Sequence, residues 1–183
     1  MENNIFKFAT KELSQDAFLA WLINWLNIKE NNENKAIRKC ANNFLKKILE
    51  NNEKWKNLLE ENEIDIQGIE VQFFSIDVLI LLKNKKSDEY LAIIIEDKVN
   101  TSEHDAQIEY YKYNLYENLK KERKYKNNIQ KEKLEILTVY YKPYDECNIE
   151  EKNVDYIFSR KTIIETFKNY NEVRQEYFKQ YME

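Results

Sequence analysis

The chain has 183 residues, and its 29 Lys+Arg against 33 Asp+Glu leave a net charge of −4, which suits one compact domain and disfavours a constitutive polyanion binder. Hydrophobic residues make up 43 % and aromatics 14 %, enough for a real core, so wholesale disorder is excluded. Gly68 is the only glycine, which excludes a GxGxxG dinucleotide fingerprint and a Walker A loop; His104 alone, with Cys40 and Cys147, excludes His-rich and four-cysteine zinc sites.

In chain order, the apolar residues between Ser14 and Leu26 (Phe18, Leu19, Trp21, Leu22, Ile23, Trp25 and Leu26) nearly encircle a helix. Such a helix is either buried between layers or faces a partner. Ser14 or Thr10 would cap it. A polar loop around Glu30–Asn34 precedes a cleaner amphipathic helix with the stripe Ile37, Cys40, Ala41, Phe44, Leu45, Ile48 and Leu49. Trp55, Leu58 and Leu59 mark a short third helix.

The period then changes. Ile64–Phe74 and Ile76–Leu82 are rich in β-branched and aromatic residues, with a hairpin turn at Asn84–Asp88. Tyr90–Ile95 is a continuous apolar run, the pattern of a central strand covered on both faces. A helix is predicted over Ser102–Lys121, with Ile108, Tyr111, Leu115 and Leu119 on one side. Strands follow at Leu134–Tyr141 and Val154–Phe158, and Ser159 or Thr162 opens a terminal helix toward Tyr181. The expectation is a single α/β domain over residues 1–183: helical over 1–62, a mixed sheet flanked by helices over about 63–158, and a C-terminal helix over about 159–182. Ala17–Ile23 is far short of a membrane span, no basic leader precedes it, and two distant cysteines suit a reducing cytoplasm.

Most charges fall where solvated faces should be, but three do not. Asp77 interrupts the aliphatic run Ile76–Leu82, and Glu96 and Lys98 end the most apolar strand in the chain. Residues two apart on a strand share a face, so Glu96 and Lys98 project together and Asp97 points away. A hairpin turning near Lys86 sets Asp77 opposite Glu96. Two carboxylates meeting at a strand end cannot both stay charged without a cation. Carboxylate plus backbone oxygen is a hard donor set suited to Mg²⁺, and a neighbouring ammonium would steady charge on a phosphoryl group. The implied chemistry is metal-assisted phosphodiester hydrolysis.

Asp77, then Glu96-Asp97-Lys98, then a helix carrying Gln107-x-x-x-Tyr111 resembles the PD-(D/E)xK nuclease superfamily. Ile94–Val99, Gln107–Tyr111 and the opening Glu12–Leu22 are similar to a branch common in bacterial defence and mobile-element loci. The resemblance covers roughly residues 5–142. It implies a restriction-endonuclease-like core of αβββαβ order with extra N-terminal helices. Asp77 and Glu96, with the carbonyl of Asp97, would hold Mg²⁺, or Mn²⁺ in its place. Lys98 would orient the attacking water, Gln107 would approach from the following helix, and Tyr111 would support it or touch substrate. Glu12 is the first choice for an acid from the opening helix and Asp16 the second. In departure from the pattern, Ile76 stands where the motif has proline, and Ser75 where the branch often has a basic residue.

The substrate implied is nucleic acid, in the first place DNA. Tyr111 with Lys120, Lys121, Arg123 and Lys124 is the candidate contact surface, and Tyr110, Tyr113 and Tyr116 could stack bases. The Trp21/Trp25 helix suggests a homodimer or a partner protein. His104 reads as a surface residue and Cys147 as inert. The alternative reading is a catalytically silent, acidic interaction protein of phage or mobile-element origin that keeps the fold.

Overall fold

The computed structural model describes residues 15–97, 105–142, 154–168, 170 and 173. Among these, the order is α1 (Gln15–Asn24), α2 (Lys35–Ile48), α3 (Glu53–Glu60), β1 (Ile64–Phe73), β2 (Ile76–Asn84), β3 (Tyr90–Asp97), α4 (Asp105–Lys121), β4 (Leu134–Lys142), β5 (Tyr156–Ser159) and α5 (Arg160–Phe167). The strands form one mixed sheet in the order β1-β2-β3-β4-β5. It is antiparallel from β1 to β3 and parallel from β3 to β5. The five helices and mixed five-stranded sheet match the restriction-endonuclease-like core that the sequence led us to expect.

Strand β3 is apolar from Tyr90 to Ile95 because helices cover both of its faces. Ile93 and Ile95 pack with Val78, Ile80 and the side chains of α1, α2 and α5. Ala92 and Ile94 pack with Leu79, Leu81 and the Ile108, Tyr111 and Leu115 stripe of α4. Each such isoleucine, removed fully from water, contributes about 1.5–3 kcal/mol before the entropy cost of ordering it. The β2–β3 ladder pairs Val78 with Ile95 and Leu79 with Ile94, the register that the hairpin spacing predicts. Val78–Ile95 is its last pair, and beyond it Asp77 accepts from the Asp97 amide.

Helix α1 resolves the choice left open by its composition. All residues from Ala17 to Ile23 are buried, with Trp21 edge-on to Trp25 at 6.0 Å and Phe18 edge-on to Phe167 at 6.3 Å. The apolarity of α1 is therefore satisfied inside the chain, and it gives no separate reason to expect a dimer. The helix ends at Asn24, earlier than the predicted Leu26, and a tight 3₁₀ turn over Trp25–Asn27 follows. Arg38 of α2 collects the carbonyls released there, donating to Trp25 at 2.6 Å, Leu26 at 3.1 Å and Ile28. Those carbonyls would otherwise be orphaned at a helix end.

The predicted α2 stripe is buried in full. Its Phe44 meets the rings of Phe158 at 4.9 Å and Phe167 at 5.8 Å, joining α2 to β5 and α5. Trp55 of α3 is buried and donates its indole N–H to Glu135 on β4 at 2.9 Å. Ser159 caps α5 by accepting from the Thr162 amide at 3.3 Å. The rest of the predicted helix toward Tyr181 lies outside the described residues. Among the described residues, no helix is long and apolar enough to cross a membrane.

Gly68 follows an irregularity in the β1–β2 register. A Cβ built on it would overlap the Tyr125 hydroxyl and come within 2.9 Å of that ring's Cζ. Tyr125 is buried there and donates to Glu70, so backbone contact by a bare glycine lets the segment after α4 close over β1. Gly68→Ala is predicted to cost about 1–3 kcal/mol by overpacking, seen as a lower Tm in thermal unfolding. The double variant Gly68→Ala/Tyr125→Phe should lose less than the two single changes added together.

Candidate active site

The apolar interior of the sheet ends at Ile95, and the two acids that follow leave it on opposite faces. The alternation set by Ile94 and Ile95 puts Glu96 on the α4 side and Asp97 on the α1 side. Glu96 is only 4 % exposed. The backbone N–H of Asp97 donates to Asp77 Oδ2 at 2.8 Å, which ties β2 to β3 beyond their last paired residues. The Gln72 amide donates to Asp77 Oδ1 at 3.2 Å and to Asp16 Oδ2 at 3.0 Å. Gln15 donates to Asp97 Oδ1 at 3.2 Å. From the other face, the Tyr111 hydroxyl donates to the Ser75 carbonyl at 2.6 Å, and Gln107 donates to that hydroxyl.

This gathering crowds negative charge. Burial, followed by the charges of Asp16, Asp77 and Glu96, pushes the Asp97 carboxyl up to about 7. Burial and the Asp77 charge also raise Asp16, with the Gln72 hydrogen bond opposing. The Tyr111 phenol is raised by burial first, with Glu96 and Asp77 adding to it. Carboxylates and backbone carbonyls are hard donors, so the set suits a dication in its chemistry. Its closed geometry is another matter. Among the described residues, no three His, Cys, Asp or Glu groups stand as a metal cage, and both Asp77 oxygens are engaged by the Asp97 N–H and the Gln72 amide.

A family model of the PD-(D/E)XK nuclease superfamily matches residues 3–181. The chain belongs to that superfamily. Its members are typically phosphodiesterases that generally depend on a divalent metal. No curated protein and no solved structure matches the chain.

Of the superfamily-type residues predicted from sequence, Asp77, Glu96 and Asp97 lie together at one end of the sheet, with Gln107 and Tyr111 reaching that end from α4. Asp16 stands in the cluster through Gln72 and its electrostatic coupling to Asp77 and Asp97. Glu12, Lys98, His104 and Cys147 lie outside the described residues. Lys120, Lys121, Arg123 and Lys124 are exposed at the end of α4 and just beyond it. Lys124 pairs with Glu70 at 3.1 Å, and Lys120 lies over the Tyr116 ring. Of the tyrosines, Tyr111 is built into the site, and Tyr110 and Tyr113 are exposed.

Sequence reasoning missed three residues at this end of the sheet. Gln15 and Gln72 are amides with no distinguishing pattern around them. Lys142 is 8 % exposed at the end of β4, next to the end of β3, where Asp97 pairs with Tyr141. By strand alternation from Tyr140 it shares the α4 face with Glu96. Its signal was available: like Lys98, it is a lysine that follows an apolar run in the sequence.

A carboxyl raised in the folded state stabilises the fold below its unfolded pKa, and that contribution is lost as pH rises through the folded value. For Asp97 the loss spans the range from the ordinary carboxylate region to about 7. The Tm of the metal-free protein is therefore predicted to fall between about pH 4 and pH 7 and to level off above that. Asp97→Asn should flatten that slope and raise Tm at the alkaline end, as followed by thermal unfolding across buffers.

Proposed function

We propose that this chain is a divalent-metal-dependent nuclease that hydrolyses phosphodiester bonds, with DNA as substrate, at the end of β3. The observation that carries the reading is the convergence of Asp16, Asp77, Glu96 and Asp97 at one sheet end, strong enough to move Asp97 to about 7. Asp77, Glu96 and the Asp97 carbonyl would hold Mg²⁺ or Mn²⁺. When bound, such an ion supplies positive charge to the scissile phosphate and lowers the pKa of water.

The chain's own residues do the positioning. Lys98 orients the attacking water and offsets charge growing on the phosphoryl oxygens. Lys142, at the end of the neighbouring strand, adds a second cation on the same face. Gln107 and Tyr111 anchor the β1–β2 turn through the Ser75 carbonyl, which keeps Asp77 in register. Asp16, or Glu12 before it, supplies the opening-helix acid. Lys120, Lys121, Arg123 and Lys124 track the phosphate backbone. The setting we propose is cytoplasmic, in defence or mobile-element biology, with residues 1–183 acting as one nuclease domain.

A second reading has one observation in its favour. With no three-ligand cage among the described residues, the chain could be a silent interaction protein that keeps the fold. That reading predicts no cleavage of any nucleic acid by the wild-type protein in Mg²⁺ or Mn²⁺.

The test is a digestion panel over single- and double-stranded DNA and RNA. Wild-type protein should cut DNA only with a divalent ion present. Asp77→Ala, Glu96→Ala and Lys98→Ala should each lower the rate by at least about 10²-fold without unfolding the protein. Gln107→Ala and Asp16→Asn, which act through neighbours, should cost about 10- to 100-fold. Cleavage that survives all three of the first substitutions overturns the assignment.

A further inference from the structure

The β1–β2 connection holds the feature that the catalytic reading leaves unexplained. Phe73 pairs with Ile76, so Phe74 and Ser75 alone make the turn, with φ of 48° and 72°. Two positive values in a two-residue hairpin follow the I′ pattern, which strongly favours Asn-Gly. Neither residue here is a glycine, and an aromatic side chain is a poor occupant of the left-handed region. Gln72, just before the turn, is also left-handed at φ 56°. A hairpin selected for stability alone would not carry Phe at this position.

The ring does not compensate by burying itself. Phe74 is 40 % exposed although the other described phenylalanines are buried. It meets Phe73 edge-on at 4.9 Å, and the Lys121 ammonium stands 5.2 Å from its centroid. Lys121 is itself exposed and donates to Asn118 at 2.9 Å. The turn is held in place from beneath by the Tyr111 hydroxyl on the Ser75 carbonyl. Phe74 precedes Asp77 by three residues, so it lies within roughly 10 Å of chain from the proposed metal-binding carboxylate.

We propose that Phe74 is a stacking platform for an unpaired nucleobase of the substrate, next to the scissile phosphate, with Lys121 meeting the phosphate of that nucleotide. The proposal rests on the nuclease reading and adds the substrate form, a single-stranded or locally opened stretch. An exposed aromatic beside a cation is the arrangement that binds single strands, because every base offers a π-face. In an intact duplex those faces are already stacked on one another.

The test uses the full chain in EDTA, where no cleavage occurs, and measures affinity for a mixed-sequence single-stranded DNA oligonucleotide and for the duplex of equal length. Wild-type protein should prefer the single strand. Phe74→Asn should raise its Kd for the single strand roughly 5- to 100-fold while leaving Tm unchanged or higher, since Asn tolerates positive φ. Phe74→Trp should retain the wild-type affinity. Wild-type affinity in Phe74→Asn overturns the proposal, and so does a lowered Tm with affinity intact, which would make the ring a packing element. Binding without cleavage in Mg²⁺ would sink the nuclease reading and leave the platform standing; cleavage with affinity indifferent to Phe74 would do the reverse.

Discussion

The hydrogen bond from the Asp97 amide to the Asp77 carboxylate, 2.8 Å long, sits one step past the last β2–β3 rung. Everything on the apolar side of it is ordinary core, held by isoleucines and leucines between two helical layers. At its other side the described acids Asp16, Asp77, Glu96 and Asp97 gather. The bond keeps Asp77 against the mouth of β3 and thereby commits the molecule to an acid pair where the sheet opens. Helix α1 then adds Asp16 and Gln15 from one face, and α4 brings Gln107 and Tyr111 to the other. Two glutamine amides partly relieve the crowding, with Gln72 shared by Asp16 and Asp77 and Gln15 on Asp97. The relief is incomplete, because amides are neutral, and burial with the neighbouring acids still holds Asp97 up at about 7.

The local sheet geometry serves this arrangement at some cost. Three of the four residues from 72 to 75 (Gln72, Phe74 and Ser75) have positive φ at the β1–β2 end, and such residues cost on the order of 1–3 kcal/mol each. The Gln72 backbone is what delivers its side chain to the two acids, and the Ser75 carbonyl is what Tyr111 grips. Positive-φ backbone and crowded negative charge thus coincide at one end of the sheet, while the Asn84–Asp88 end closes with hydrogen-bonded turns, a left-handed Asn62, and exposed ion pairs such as Lys86 with Glu61. A chain that tolerates both in one place is giving up stability for a site.

Much of this was legible before any coordinates. The α2 stripe, the apolar β3 and the α4 stripe announced their own burial, because periodicity reports which side of an element meets the core. The hairpin spacing gave the β2–β3 register, which runs to Val78 opposite Ile95, since the turn left little freedom. What was not legible has a common physical cause: it depends on contacts between residues distant in sequence. Composition alone could not tell whether α1 faced a core or a partner, and it took Phe167 and the sheet to decide it. Gln72 owes its role to a left-handed backbone that no propensity foretells. Gly68 reads as a strand glycine, and only Tyr125, folded back from beyond α4, explains why it has to be one. Lys142 was visible as a residue, but its company at the mouth of β3 follows from the parallel β3–β4 pairing.

We propose that the acid cluster at the end of β3 is a cation site, and that the hydrogen bonds now closing it on Asp77 give way to a dication. Calorimetric titration of the metal-free protein with Mn²⁺ tests it directly, with Asp77→Ala as the comparison. The account predicts saturable binding of Mn²⁺ by the wild-type chain, proton release as Asp97 ionises near neutral pH, and loss of both in the variant. No heat at millimolar Mn²⁺, or equal binding by Asp77→Ala, would contradict it.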